Sequence, residues 1–273
     1  MTITHPVQVV AIAGNDCDGS AGLTADLHSF YARGTYGMSV LTAAVAGNSE
    51  GIFAQQVMPL SFIKKQFATL NADYQIKAAK TGMLANREVI ATVTACLKKY
   101  NFGHLVVDPV IITKHGAALL DDDAYQTFLN DLLPLAEVIT PNFYEQQKLT
   151  GLQLTSLAEI KAGAKKLQAL GARNVLMKGR HDLPGQTEVT DLLLTADGTF
   201  HTFTKPLQKT KRVNGTGDTL SAVITAELGK GKDVVEAVRI AKDFTYEAIA
   251  HPIAVGHKFG PINHLAAQKI SGE

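Results

Sequence analysis

The chain has 273 residues, with 26 Lys and Arg against 25 Asp and Glu and a formal net charge of +1 at pH 7, so it offers neither a basic field for nucleic acid nor a polybasic membrane anchor. Its two cysteines, Cys17 and Cys96, lack CxxC spacing, and its nine histidines show no HExxH or paired Cys/His pattern, which argues against a disulfide framework or a structural zinc. The N-terminal MTITHPVQVVAIAG has no basic segment before its short apolar run, and no run of about 18 apolar residues follows anywhere, so a cytosolic protein that binds small partners is expected.

Val7 to Ala13 is apolar and β-branched, the pattern of a strand buried on both faces, and it runs into Gly14-Asn15-Asp16-Cys17-Asp18-Gly19-Ser20. Gly14 and Gly19 are spaced as in a phosphate-binding P-loop, but Ser20 stands where the lysine belongs, so a Walker A loop is rejected. The Asn and two acids read either as a ligand loop beyond a strand end or as a polar turn. A helix over Ala21 to Arg33 follows, stopped by Gly34, with Asp26 either an ordinary charge near the helix start or a side chain turned toward the ligand loop. Gly37 to Val45 predicts a second strand, and Gly47 to Gly51 a second ligand-facing loop.

The alternation continues with helices over Pro59 to Leu70 and Asn86 to Lys99 and strands over Tyr74 to Lys80 and His104 to Val110. Asp108 lies at the end of the last of these, where Pro109 forbids a helix. Ile112 to Gly116, which contains Lys114, reads as a polar loop, either a cover or a plain connection. Glu137 to Thr140 is a further strand, and Asn142 with Glu145 three residues on reads either as a capping box or as a pair of oxygens that meets Mg²⁺ through water. A helix over Leu157 to Leu170 and a strand over Asn174 to Met177 lead to Lys178-Gly179, and Thr187 to Thr195 with Thr199 to Lys205 form an antiparallel hairpin around Ala196-Asp197-Gly198.

Last comes Val213-Asn214-Gly215-Thr216-Gly217-Asp218, feeding a helix over Thr219 to Leu228, with another over Asp233 to Ala250. A glycine-rich loop that opens a helix presents unpaired N–H groups and a positive dipole to an anion. Asp218 is there either a helix-stabilising N-terminal carboxylate or a base for an alcohol proton beside a phosphoryl-binding hole. With no repeat and no linker, one domain is expected: an α/β fold, a three-layer α/β/α sandwich on a mainly parallel central sheet with a small antiparallel hairpin.

Six ordered motifs resemble the ribokinase-like small-molecule kinases, in the vitamin branch that contains pyridoxal kinases and hydroxymethylpyrimidine (phosphate) kinases. They are AGNDCDGSAGLTADLHSF, KTGML at Lys80 to Leu84, VVDPV at Val106 to Val110, ITPN with Glu145, LMKG at Leu176 to Gly179, and NGTGDT. The resemblance implies that Asp218 is the base and that Gly215, Thr216 and Gly217 hold the transferring phosphoryl group. It further implies that Asn142, Glu145, Lys178, Gly179, Val213 and Asn214 surround Mg·ATP, that Asp108 and Glu145 serve the metal, and that Gly14, Asn15, Asp16, Asp26, Gly47 and Met83 form the substrate pocket. ATP and Mg²⁺ are the implied cofactors, with a K⁺ requirement open, and a homodimer is the implied assembly.

Departures from the family pattern bear on substrate. Gly47 stands where the pyrimidine kinases resemble AQN or AEN, Asp218 where that branch often has Cys, Thr113 near a cysteine proposed to engage an aldehyde in some pyridoxal kinases, and Arg180 in place of the second glycine of KGGH. The missing amino-group reader at Gly47 leads to an expected phosphorylation of the 5′-hydroxymethyl group of pyridoxal, pyridoxine and pyridoxamine. The alternatives are hydroxymethylpyrimidine or hydroxymethylpyrimidine phosphate kinase and a non-catalytic vitamer-binding protein. A nicotinamide dehydrogenase is disfavoured because Leu220 breaks GxGxxG after Gly215 and Gly217.

Overall fold

A computed structural model describes residues 5–111 and 120–267. The strands are β1 (Gln8–Asp16), β2 (Tyr36–Asn48), β3 (Gly51–Val57), β4 (Ile76–Thr81), β5 (His104–Val107), β6 (Val138–Ile139), β7 (Asn174–Met177), β8 (Glu188–Leu194) and β9 (Phe200–Pro206). They form one sheet in the order β3-β2-β1-β4-β5-β6-β7-β8-β9. From β2 to β7 all pairings are parallel, while β3 at one edge and β8 and β9 at the other run antiparallel. The helices are α1 (Gly22–Ala32), α2 (Leu60–Asp73), α3 (Arg87–Lys99), α4 (Asp122–Thr127), α5 (Phe143–Thr150), α6 (Leu157–Ala169), α7 (Thr216–Gly229), α8 (Val234–Ala250) and α9 (His264–Ala267).

Strand periodicity sorts β1 between two layers. Val10 and Ile12 join the core that reaches Phe67, Val93 and Leu167 of α2, α3 and α6, whereas Val9, Ala11 and Ala13 join Phe30 of α1 and Ala222 of α7 on the opposite face. This makes the expected three-layer sandwich. α7 is apolar around most of its circumference because it packs on β1, β4 and β5 while α1 and α8 cover its other sides, and Thr219 to Leu228 are all buried. Each of Val223 and Ile224, fully enclosed, contributes about 1.5–3 kcal/mol relative to exposure. Helix starts carry the side chains that their sequences promise: Asn86 accepts from Val89 N, and Asp233 from Glu236 N.

The structure departs from the sequence reading in several places. β1 continues through Gly14-Asn15-Asp16, with a register shift between Ala13 and Gly14. β2 runs on to Asn48 and turns into β3, so Gly47 to Gly51 is a hairpin end and not an open loop. β3, GIFAQQV, is exposed along nearly its whole length, and an edge strand with both faces wet has no hydrophobic alternation to announce it. β5 stops at Val107, short of Pro109 and of Val110, whose φ of +36° is strained for a β-branched residue. α7 begins three residues earlier than expected, at Thr216, because Gly215 takes φ +81° at its cap. The expected polar loop at 112–116, with Thr113 and Lys114, lies outside the described residues. No helix among the described residues is long and apolar enough to cross a membrane.

Candidate active site

From β1 the chain passes to β2 on one side and returns, after β3 and α2, to β4 on the other. That reversal marks the place, beyond the carboxyl ends of β1 and β4, where open α/β sheets hold ligands in a crevice. The exits of β1, β4, β5, β6 and β7 and the N-terminus of α7 supply its candidate residues.

At the β1 exit Gly14 N donates to Met83 O at 3.2 Å, and a side chain at Gly14 would collide with the Met83 methyl group, so glycine here is what seats Met83. Thr42 Oγ1 holds the same Met83 carbonyl at 2.8 Å. Asn15, expected in the pocket, commits Oδ1 to Thr24 N at 3.1 Å and Thr24 Oγ1 at 2.7 Å, which ties β1 to the start of α1, a helix without a side-chain cap of its own. Asp16 is half-buried, and burial, then Asp218, then Asp18, push its pKa up to about 6. Gly47 lies near this exit, accepting a hydrogen bond from Cys17 Sγ at 3.3 Å.

Asp26 departs most from its expected place. Its side chain is wholly enclosed and its Oδ1 meets Lys80 Nζ at 2.5 Å, so it stands behind the crevice and not on its wall. Lys80 in turn faces Asp218 Oδ1 at 3.8 Å. Burial raises the Asp26 pKa, against the pull of Lys80; Lys80 itself loses to burial but gains more from Asp26, Asp218 and Asp108, so its pKa lies above the ordinary lysine value. Lys80 has no role in the sequence reading beyond its place in KTGML; the available signal was a lysine inside an otherwise apolar strand end, Ala78-Ala79-Lys80-Thr81.

Across the sheet Lys178 Nζ lies 3.3 Å from Asp108 Oδ1. A Cβ on Gly217 would sit 3.5 Å from both Asp108 Oδ2 and Lys178 Nζ, so the first turn of α7 presents bare backbone to this pair. Asp108 Oδ2 also accepts from Ser221 Oγ at 3.4 Å. Gly179 N donates to Asp191 Oδ1 at 2.7 Å, and Gln146 Nε2 bridges Pro141 O at 2.9 Å and Lys178 O at 2.7 Å, which locks the exits of β6 and β7 together. Neither Asp191 nor Gln146 carries a motif that would have marked it. Arg180 turns away to Asp182, at 2.5 Å, and to the Phe143 ring, 4.8 Å from its centroid.

Asn142 and Glu145 form a full capping box on α5: Asn142 Oδ1 accepts from Tyr144 N and Glu145 N, and Glu145 Oε2 accepts from Asn142 N at 2.7 Å. Glu145 Oε1 accepts from Ile111 N at 3.1 Å, so both oxygens of this buried carboxylate already hold backbone. Burial raises its pKa to about 7, against Lys178. Among the described residues no three or more His, Cys, Asp or Glu cluster to hold a metal. Asp108, with Glu145 behind it, has the donor chemistry of a Mg²⁺ position that relies on one carboxylate, water and ligand phosphates.

The loop before α7 is fixed from outside. Asn214 N donates to Gly260 O at 3.1 Å and Ile262 N to Asn214 O at 3.2 Å, while Thr216 Oγ1 donates to Val213 O at 2.8 Å. Gly215 backs onto the Ser20 carbonyl so closely that no side chain fits. Asp218 is the third helical residue, its side chain 21% exposed and therefore reachable from the crevice. Of the amides expected to hold the phosphoryl group, that of Thr216 instead donates to Val213 O at 3.3 Å, while those of Gly217 and Asp218 belong to the first turn, whose N–H groups have no intrahelical acceptor. The assembly joins a carboxylate, an anion-binding helix end and a lysine beside an acid, the set that transfer of a phosphoryl group to an alcohol requires.

Comparison with known proteins follows the same line. The family profile described as phosphomethylpyrimidine kinase matches residues 16–263. A hydroxymethylpyrimidine/phosphomethylpyrimidine kinase of Haemophilus influenzae is 45% identical over 264 residues, covering 96% of this chain and 98% of that one. The crystal structure of phosphomethylpyrimidine kinase from Clostridium difficile is 39% identical with a TM-score of 0.80, covering 89% of this chain and 99% of its own. An ADP complex of Bacillus subtilis pyridoxal kinase is 34% identical with a TM-score of 0.88, covering 96% and 98%. The chain therefore belongs to the phosphomethylpyrimidine kinase family, within the ribokinase-like vitamin kinases.

Proposed function

We propose that this kinase uses ATP to phosphorylate hydroxymethylpyrimidine on its hydroxymethyl oxygen, and then phosphomethylpyrimidine on its phosphate. The observation that carries the reading is the 45% identity to a kinase of that name across almost all of both chains. It replaces the pyridoxal assignment expected from the motifs, which rested on Gly47. Gly47 has a backbone reason of its own: in the β2–β3 hairpin a Cβ there would lie 3.0 Å from the Gly51 carbonyl oxygen. Its lack of a side chain is thus weak evidence about the ring bound nearby.

In this reading Asp218 takes the proton of the hydroxymethyl group, and the first-turn amides at Gly217 and Asp218 hold the oxygens of the transferring phosphoryl group. Lys178 meets the nucleotide phosphates, trading part of its pairing with Asp108 for them. Mg²⁺, held at Asp108 and through water near Glu145, would supply charge neutralisation on those phosphates. The ADP complex of the Bacillus subtilis neighbour supports the use of a nucleotide. The expected homodimer stays part of the proposal, supported by Ile52 and Phe53 of edge strand β3, each 68% exposed.

A second reading, phosphorylation of pyridoxal, is favoured by the TM-score of 0.88 to the Bacillus subtilis pyridoxal kinase and by its agreement over nearly the whole chain. ADP release with Mg·ATP separates the two when hydroxymethylpyrimidine, phosphomethylpyrimidine and pyridoxal are compared side by side. Pyrimidine turnover at least about 10-fold above pyridoxal in kcat/KM is expected, a difference of about 1.4 kcal/mol. A pyridoxal preference of that size would overturn the assignment.

A further inference from the structure

Among the described residues, Lys80–Asp26 is the only ion pair with neither side chain exposed, 0% on both sides. It joins the end of β4 to the middle of α1. Asp26 Oδ2 is buried with no hydrogen-bond partner, and Oδ1 has Lys80, so the carboxylate has no backbone to satisfy and no cap to make. Apolar residues of similar volume commonly serve stability as well as such a pair does. The lysine therefore asks for another explanation, and its surroundings supply one. Its ammonium stands 3.8 Å from Asp218 Oδ1, beyond hydrogen-bond length but well within the range of strong attraction at a buried site. The charged groups that bear on it are Asp26 from α1, Asp218 from α7 and Asp108 from the β5 exit, with Asp16 acting on Asp218 from the β1 exit. Anionic phosphates entering beside Asp218 and Asp108 meet repulsion that Lys178, and Lys80 from behind Asp218, offset.

Resting on the reading of Asp218 as the base, we infer that Lys80 is a positioning residue for phosphoryl transfer, anchored by Asp26 so that its ammonium fixes the Asp218 carboxylate and offsets its charge as the phosphoryl group approaches. Asp26 acts only through Lys80. Because Lys80 is closed off from the crevice, its removal changes kcat and leaves substrate binding nearly intact.

The test removes both buried charges together, as Lys80→Met with Asp26→Asn, so that no unpaired carboxylate remains in the core. With a cooperative thermal transition retained, kcat is expected to fall roughly 100-fold, within the range for a general base that has lost its setting, while KM for ATP and for the acceptor stays within about 3-fold. In an Asp218→Asn background the same two changes are expected to lower residual turnover by less than about 3-fold, since the group they serve is already gone. Parent-like kcat in the double variant, or an equally large loss in the Asp218→Asn background, would overturn the inference. Should the double variant not fold, Lys80→Gln, which keeps an amide donor for Asp26, carries the same test with the same two outcomes. The assay uses whichever acceptor the parent chain turns over, so an error in the substrate reading changes the acceptor and leaves the ratios intact. Parent-like kcat in Asp218→Asn alone would instead overturn the base itself.

Discussion

Two lysines at strand ends, each beside carboxylates, serve the site differently. Lys80 and Asp26 are both fully enclosed, whereas Lys178 and Asp108 retain 16% and 5% exposure and face the bare backbone of Gly217. The enclosed pair has no room to change partners. The other pair is loosely made, at 3.3 Å, and opens onto the end of α7 where phosphates would arrive. Partial exposure therefore separates a cation built into the scaffold from one kept for a ligand, although both belong to the same sheet edge and each lies near Asp218.

The comparison breaks most sharply on stability. Lys80→Met alone leaves Asp26 buried without its cation and is expected to cost about 3–5 kcal/mol in urea unfolding, most of it restored by adding Asp26→Asn. Lys178→Met is expected to cost less, about 1–3 kcal/mol, because Asp108 keeps the Ser221 hydroxyl and Lys178 is itself partly exposed. Equal costs for the two lysines would contradict the distinction. Next in size is ligand binding: Lys178→Met should raise KM for ATP about 10-fold, or about 1.4 kcal/mol, with a weaker salt dependence than the parent, whereas Lys80 variants should leave that KM nearly unchanged.

A smaller effect concerns Asp16, which shares the crevice with Asp218. Its pKa is raised to about 6, so between pH 4 and 6 the native state keeps a proton that the unfolded state has lost, and stability falls as pH rises through that window. Asp16→Asn, which mimics the protonated form, should be more stable than the parent by about 1 kcal/mol at pH 7.5 after allowance for solvent screening, with the difference gone near pH 4. Urea unfolding at both pH values checks this. A gap that widens on acidification would show that Asp16 is held ionised.

The sheet and the helices above it were legible because hydrophobic periodicity and strand-end punctuation agree in β1, β4, β5, β7 and α7. β3 was not, since an exposed edge strand carries no burial pattern. At the site, the placement of Asp108, Lys178, Gly217 and Asp218 around one crevice could be read from strand exits and a glycine-rich helix start. The capping reading of Asn142 and Glu145 stands beside the ligand reading in the sequence, and the folded protein forms the cap in full. Asp26 was misplaced because a carboxylate early in a helix looks the same in sequence whether it faces ligand or core; only the Lys80 ammonium 54 residues away decides it. Asn15 was assigned to the pocket for its position in a polar loop, and its Oδ1 instead completes the uncapped start of α1. Contacts of such sequence separation leave no local trace.

The most direct measurement of the account is the rate at which parent and Asp218→Asn form phosphomethylpyrimidine from hydroxymethylpyrimidine and Mg·ATP, with acceptor binding followed in parallel by calorimetry. Turnover by the parent well above the blank is expected, with a fall of roughly 10³-fold in kcat for Asp218→Asn and acceptor affinity within a few-fold of the parent. Parent-like turnover by Asp218→Asn, or a parent that binds the acceptor without turning it over, would contradict it.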